Sequence, residues 1–132
     1  MILQVGVKAL LKNKKGEYLL LKRSLEKYPD VGNLWDIPGG RINPGTPLLD
    51  NLAREIKEET GLDLTSTPTL IAAQDILKVV DKHIVRLTYT AEIEGDPALN
   101  GEEHQEFRWI SLEDLKSLTG LDRYTKELIE KF

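Results

Sequence analysis

Residues 39–62 read GGRINPGTPLLDNLAREIKEETGL, and the second half of this stretch predicts an amphipathic helix. Apolar residues recur there at helical spacing and define one stripe: Leu48, Leu49, Leu52, Ala53 and Ile56. At about 100° per residue, Glu55, Glu58 and Glu59 crowd one arc at the border of that stripe. Because neighbouring carboxylates repel one another unless a cation relieves them, the helix is either the floor of a cation site or a solvated acidic face.

The segment that leads into this helix favours the cation site. Residues 38–40 read PGG and residues 44–45 read PG, which predicts an extended strand followed by a tight loop with its backbone open to a ligand. Thr46 and Pro47 match a capping hydroxyl followed by proline at the first helical position. A glycine loop before an acidic helix offers amides to anions and carboxylates to cations.

Taken together, the glycine loop and the acidic helix resemble the signature box of the Nudix hydrolases, Gx5Ex7REUxEExGU, where U is a bulky aliphatic residue. The matching positions are Gly40, Arg54, Glu55, Ile56, Glu58, Glu59, Gly61 and Leu62. Thr46 is the fixed position that departs from the box, since the family has Glu there. The resemblance implies an α/β protein with the Nudix fold, a mixed β-sheet sandwiched between α-helices, formed by one domain over residues 1–132.

The composition bounds the classes of function. A chain of 132 residues with 30% charged and 40% hydrophobic residues is typical of one globular domain. A net charge of −4 without any basic run argues against a nucleic-acid polymer as partner. The absence of cysteine excludes disulfides and thiol chemistry, which fits a cytoplasmic protein. No apolar run approaches the ~20 residues of a membrane span, and no basic leader precedes the first strand, so we expect no membrane segment and no processing.

Patterns outside the box predict two hairpins and two further helices. The predicted strands are residues 2–12, 17–23, 69–80 and 83–94. The first pair is joined by a turn that ends in Gly16, and the second pair is expected in the centre of the sheet. Loops are predicted at 24–33 and 95–102. A short helix is predicted after a Ser111 cap, and a last one from Leu121 or Asp122 onward.

The box supplies the candidate metal ligands. Carboxylates are hard oxygen ligands, and without cysteine or paired histidines the sequence favours Mg²⁺, with Mn²⁺ as a second choice, over zinc. The resemblance implies Glu55 and Glu59 as metal ligands, Glu58 as a third ligand or the catalytic base, and Gly40 as a backbone contact. Arg54 is expected to hold one of these carboxylates in position.

A second acidic segment precedes Trp109. It resembles the family segment in which a glutamate outside the box completes the metal site or serves as base. Glu103 is the first choice for that role and Glu106 the second, and either one could instead be an ordinary acidic loop residue. His104 is a weaker candidate for a hydrogen bond to phosphate.

Candidate substrate contacts surround the box. Arg23 ends a predicted strand where Nudix proteins commonly reach the substrate, although a solvated strand-end arginine fits equally well. Trp35 could stack on a nucleobase, but it could also anchor the loop onto the helix. The remaining candidate substrate contacts are Gly39 and Arg41, in the glycine loop, and Glu106, in the acidic segment before Trp109.

The resemblance implies a Mg²⁺-dependent hydrolase that cleaves the diphosphate bond of a nucleoside diphosphate linked to another moiety. A nucleoside triphosphate, normal or oxidised, is the favoured substrate, and monomer and homodimer both remain open. Because Thr46 replaces a box glutamate, the alternative is a Nudix-like nucleotide-binding or regulatory module with weak or no catalysis. A third alternative is a plain acidic helix in a structural protein.

Overall fold

The computed structural model describes residues 1–24, 35–99 and 103–132. The predicted loop at 24–33, apart from Ser24, and residues 100–102 of the second loop lie outside these ranges. The strands are β1 (Ile2–Lys12), β2 (Tyr18–Arg23), β3 (Trp35–Asp36), β4 (Gly39–Arg41), β5 (Thr69–Ile76), β6 (Lys82–Glu92) and β7 (His104–Ile110). The helices are α1 (Leu48–Thr60), α2 (Leu112–Ser117) and α3 (Arg123–Ile129).

All of these strands belong to one mixed sheet. Its order is β3-β2-β1-β6-β5, with β4 paired to β1 and β7 paired to β2. β1 runs parallel to β6, and β5 runs antiparallel to β6. Both predicted hairpins are confirmed, with Gly16 and Asp81 at positive φ in their connections. Both strands of the second hairpin were expected in the centre of the sheet. In the described part of the chain β6 lies inside the sheet, whereas β5 lies at its edge.

The core lies on both faces of the sheet because side chains alternate along each strand. On one face Leu19 and Leu21 pack with Ile56 of α1, and on the other Leu20 packs with Leu128 of α3. The helices therefore cover opposite faces. The predicted fold class, a mixed sheet between helices, is confirmed.

The start of α1 differs from the prediction. Thr46 is exposed, and the helix begins after Pro47 without a side-chain cap. The fully buried Asn51 instead holds the loop before the helix through its side-chain amide. Its Nδ2 donates to the carbonyls of Thr46 (2.9 Å) and Pro47 (3.0 Å), while its Oδ1 accepts the N–H of Asn43 (2.8 Å). The amide thus fastens the loop to the helix, which a threonine hydroxyl is too short to do.

The buried stripe of α1 is also narrower than the sequence predicts. Leu52 and Ile56 are fully buried, whereas Leu48, Leu49 and Ala53 are exposed. Glu59 lies on the buried side, and this position brings its carboxylate against the sheet.

The last two helices begin as predicted. Ser111 Oγ accepts the N–H of Asp114, and the carboxylate of Asp122 accepts the N–H groups of Tyr124 and Thr125. Both caps satisfy backbone donors that a helix start leaves free. Within the described residues, none of the helices combines the length and apolarity that a membrane crossing needs.

Replacing Asn51 with alanine removes the hydrogen bonds between loop and helix and leaves buried groups unsatisfied. We expect the N51A variant to lose about 2–4 kcal/mol of unfolding free energy, measured by urea denaturation. The matched control is K57A on the exposed face of the same helix, which should change stability little. Equal stability of the two variants would contradict this role of Asn51.

Candidate functional site

A cleft of about 850 Å³ opens between α1, the β4 segment and the start of α3. Its lining combines acidic and basic side chains. The acidic lining residues include Glu55, Glu58, Glu59 and Glu103, and the basic ones include Lys8, Arg23, Arg41 and Arg86. The cleft therefore presents both charges to a single ligand.

The two glycines of β4 allow the helix to approach. A Cβ at Gly40 would lie 2.5 Å from Oε2 of Glu55, and a Cβ at Gly39 would collide with the backbone carbonyl of Val7. Gly39 also has a φ of 140°, which L side chains rarely adopt. A side chain at Gly39 would displace β1, and one at Gly40 would displace the carboxylate of Glu55, so both glycines are needed for this arrangement.

Glu59 is the most enclosed carboxylate of the cleft, with 7% of its surface exposed. Its Oε1 accepts the N–H of Gly39 at 2.8 Å, and its Oε2 lies 3.6 Å from Nε2 of His104. Burial raises the pKa of Glu59 to about 7, and the charges of Glu55 and Glu103 add to this, although Lys8 and the Gly39 hydrogen bond oppose it. The fold therefore holds a carboxyl that keeps its proton to a higher pH than an exposed glutamate does.

Arg54 organises the other helical carboxylates. Its Nη1 lies 3.0 Å from Oε1 of Glu55 and 3.6 Å from Oε2 of Glu58. Its Nη2 donates to the carbonyl of Arg41 and to Oδ1 of Asn51. Burial raises the pKa of Glu55, which Arg54 opposes, whereas the side chain of Glu58 is 59% exposed. Glu55 and Glu59 thus face the glycines, while Glu58 lies at the mouth of the cleft.

The basic side of the cleft is built around Asp36, a 3% exposed residue. One of its oxygens lies 3.1 Å from Nη2 of Arg23 and 3.2 Å from Nζ of Lys8. Arg86 contacts both oxygens, at 3.0 and 3.3 Å, and the hydroxyl of Thr125 donates to Oδ1 at 2.6 Å. Strands β1, β2, β3 and β6 and helix α3 therefore meet at one carboxylate.

The charges around Asp36 keep it ionised. Burial disfavours its charged form, but the positive charges of Lys8, Arg86 and Arg23 outweigh this and hold the pKa of Asp36 far below its ordinary value. Arg86 also pairs with Asp122, whose Oδ2 lies 3.2 Å from Nη1. The three cations that contact Asp36 are consequently held in place by it.

Glu103 and His104 bring the second acidic segment to the cleft. Glu103 lines it, and its charge contributes to the raised pKa of Glu59. His104 is 11% exposed, and burial together with the charge of Lys8 lowers its pKa to about 4. The ring is therefore neutral at physiological pH and does not compensate the charge of Glu59.

The remaining sequence candidates divide into two groups. Gly39, Gly40 and Arg41 line the cleft, as does Arg23. Trp35 and Glu106 do not. The ring of Trp35 packs with the α2 and α3 core rather than with α1, and its backbone pairs with Gly120 and Asp122. Glu106 is 54% exposed and lies 3.2 Å from Lys22 on β2.

Sequence reasoning missed Lys8, Asp36 and Arg86. Each is a charged residue within an extended, largely apolar segment, and that is the one local signal that could have found them. A charge at an inward position of a central strand must find a partner. The partner itself could not be read from the chain, because Arg86 and Asp36 are 50 residues apart.

The donor chemistry of the acidic side fits a hard divalent cation. Within the described ranges, no group of three His, Cys, Asp or Glu side chains converges closely enough to form a ready metal site. Glu55 and Glu59 nevertheless present carboxylate oxygens one helical turn apart beside the side-chain-free Gly40. Oxygen donors in this setting suit Mg²⁺ or Mn²⁺.

Comparison with known proteins gives a consistent family. A family model described as the NUDIX domain matches residues 2–132. A solved MutT protein from Methanosarcina mazei Go1 superposes with a TM-score of 0.83 at 32% identity, covering 98% of this chain and 91% of that one. The predicted resemblance and the Nudix fold are confirmed.

Two curated relatives match smaller shares of this chain. A Bacillus subtilis (strain 168) protein provisionally named an 8-oxo-dGTP diphosphatase is 31% identical over 107 residues, 80% of this chain and 65% of that protein. The CTP pyrophosphohydrolase of Escherichia coli (strain K12) is 27% identical over 110 residues, 83% of this chain and 78% of that protein. The chain spans less than two thirds of the length of the first curated relatives it matches.

The burial of Glu59 should lower the stability of the folded chain at alkaline pH. Its pKa is higher in the folded chain, about 7, than the ordinary 4.5, so the folded state binds more protons and loses stability as pH rises between these values. Without metal, we expect the E59Q variant to be more stable than the wild type at pH 8, by up to roughly 3 kcal/mol. At pH 4.5 and below the difference should vanish.

Thermal melting in EDTA at both pH values measures this effect. The matched control is E58Q, because Glu58 lies on the same helix but is mostly exposed. The E58Q variant should melt close to the wild type at both pH values. If E59Q were destabilised at pH 8, the burial of Glu59 would not be a cost to the fold.

Proposed function

The chain belongs to the Nudix family, and from this premise we propose that it is a Mg²⁺-dependent hydrolase of nucleoside diphosphate derivatives. The bond cleaved is the phosphoanhydride between the nucleoside-bearing phosphate and a second moiety. Water adds to one phosphorus, the bridging P–O bond breaks, and the products are a nucleoside monophosphate and the phosphorylated second moiety or pyrophosphate.

One observation carries this proposal. The carboxylates of Glu55 and Glu59 and the cations that contact Asp36 line the same cleft. A diphosphate ester that carries a divalent ion needs both kinds of group, because its ion requires oxygen ligands and its phosphates require positive charge. A site for a neutral ligand would not need either.

The roles of the residues follow from their positions. Glu55 and Glu59 would hold the divalent ion, which when bound supplies Lewis-acid polarisation and activation of water. Arg54 keeps Glu55 directed toward the glycines. Arg23 lines the cleft and binds a phosphate, and Gly40, which has no side chain, leaves room for the carboxylate of Glu55.

The attacking water must lose a proton. Glu58 and Glu103 both line the cleft and are both placed to accept it. Glu58 is mostly exposed, so its carboxylate is in contact with solvent water. His104 is unsuited to hold a proton near neutral pH, because burial lowers its pKa to about 4.

Nucleoside triphosphates, normal or oxidised, are the substrates we propose to test first. Two relatives carry names that assign such compounds, 8-oxo-dGTP in one and CTP in the other. A small anionic nucleotide also agrees with a chain of net charge −4 without a basic run. We propose action in the cytoplasm, and either a monomer or a homodimer is compatible with the cleft.

The departure at Thr46 should not abolish activity. Thr46 is exposed and does not line the cleft, so a carboxylate there adds no ligand to Glu55 and Glu59. We expect the T46E variant to keep kcat/KM within about threefold of the wild type, since surface changes remote from a site have small effects. A tenfold or larger gain in kcat/KM would show that this position supports the metal site. That result would favour the alternative of a weakly catalytic module.

The proposal itself is tested by hydrolysis of a substrate panel with Mg²⁺ or Mn²⁺. The panel contains the common nucleoside triphosphates, 8-oxo-dGTP, a dinucleoside polyphosphate and ADP-ribose, and released phosphate and pyrophosphate are measured. We expect turnover that EDTA abolishes and that E59Q reduces by on the order of 100-fold or more, because a buried metal ligand is lost.

The matched control is E113Q on the exposed face of α2, which should retain wild-type rates. Wild-type rates in E59Q would refute the assignment of Glu59. If ligands raised the melting temperature but no compound in the panel were hydrolysed, the protein would be a binding module instead.

A further inference from the structure

Lys8 is a cation enclosed within the central strand of the sheet. Its neighbours Val7 and Ala9 are fully buried, and its own side chain is 16% exposed. The side chain points to the opposite face from these neighbours and lines the cleft. A lysine is rarely held this deeply without a specific partner.

The partners of Lys8 use part of its hydrogen-bonding capacity. Nζ lies 3.2 Å from Oδ2 of Asp36 and 3.2 Å from the carbonyl of Ile37. An ammonium group has three donors, and among the residues that the structure describes no third acceptor contacts it. One N–H of Lys8 is therefore available to a ligand in the cleft.

Asp36 fixes the position of Lys8 but compensates only part of the positive charge of the lysine. The same carboxylate also contacts Arg23 and Arg86, so Lys8 has no carboxylate of its own. The ammonium is thus immobilised and incompletely compensated. This combination favours an anionic ligand over a purely internal ion pair.

Lys8 also lies next to the carboxylate side of the cleft. It is the β1 partner of Gly39, whose N–H binds Glu59. A Cβ at Gly39 would lie 2.9 Å from Cδ of Lys8, so the lysine stem passes directly beside this glycine. Burial raises the pKa of Glu55 and of Glu59, and the charge of Lys8 opposes this in both. A ligand bridging the two sides of the cleft would pass over Lys8.

We propose that Lys8 is a substrate-binding residue whose ammonium donates to a non-bridging phosphoryl oxygen of the diphosphate, and that Asp36 is the residue that positions it. The proposal deepens the proposed function and rests on it for the identity of the substrate. A lysine with a purely structural role would instead serve only to compensate Asp36.

Binding of inorganic pyrophosphate at a fixed Mg²⁺ concentration, measured by calorimetry, separates these two roles. K8M keeps the length of the stem and removes the charge. We expect its pyrophosphate Kd to rise by about tenfold or more, the usual cost of one charge-assisted hydrogen bond. K8R, which keeps the charge, should bind within a few-fold of the wild type. The matched control K12M, from the exposed end of the same strand, should bind like the wild type.

Mn²⁺ binding is the second readout. Removing a nearby positive charge should not lower Mn²⁺ affinity, so K8M should lose pyrophosphate affinity without losing Mn²⁺ affinity. If K8M is folded and binds pyrophosphate like the wild type, the proposal is overturned. It is also overturned if K8M loses Mn²⁺ and pyrophosphate together, because that result indicates a distorted site.

A crystal structure of the wild type with Mg²⁺ and pyrophosphate tests the contact even if K8M does not fold. We expect Nζ of Lys8 within hydrogen-bond distance of a phosphate oxygen, and a phosphate bound out of its reach would overturn the proposal. The two proposals can fail separately. A wild type that hydrolyses diphosphates while K8M binds pyrophosphate normally refutes only the role of Lys8. A lysine-dependent pyrophosphate site in a protein without hydrolytic activity refutes only the proposed function.

Discussion

A carboxylate removed from water must be compensated by positive charge, and Asp36 meets this requirement with groups from distant parts of the chain. Lys8, Arg23 and Arg86 come from three strands, and Thr125 comes from the last helix. Because every one of these groups binds the same two oxygens, the network ties the strands to α3. The same contacts hold Lys8, Arg23 and Arg86 in position, so the fold and the basic side of the cleft depend on one residue.

On the carboxylate side of the cleft, the buried charge has little compensation. Glu59 is nearly as buried as Asp36 but has one N–H donor and a neutral histidine as neighbours instead of several cations. Its pKa is consequently raised where that of Asp36 is lowered. An undercompensated carboxylate weakens the empty fold and strengthens the binding of a cation, a common trade between stability and function.

Gly39 connects these two sides. Its N–H binds Glu59, and it is paired across the sheet with Lys8. A diphosphate bound to a divalent ion presents positive and negative charge a few ångströms apart, and a site that recognises it needs carboxylates and cations at comparable separation. A glycine without a side chain is what permits that separation, since any Cβ at this position would collide with β1.

The sequence by itself determined the features that depend on local spacing. The helix with its carboxylates, the hairpin turns and the Ser111 cap follow from the geometry of a few successive residues, and Arg54 was correctly placed beside the acidic arc. Tertiary structure decided which of those groups enter the cleft, and it selected Asn51 over Thr46 to fasten the helix start. It also brought together Asp36 and Thr125, which are 89 residues apart. Helical periodicity is encoded in neighbouring residues, whereas the pairing of buried charges depends on which strands become adjacent, and only the folded chain sets that adjacency.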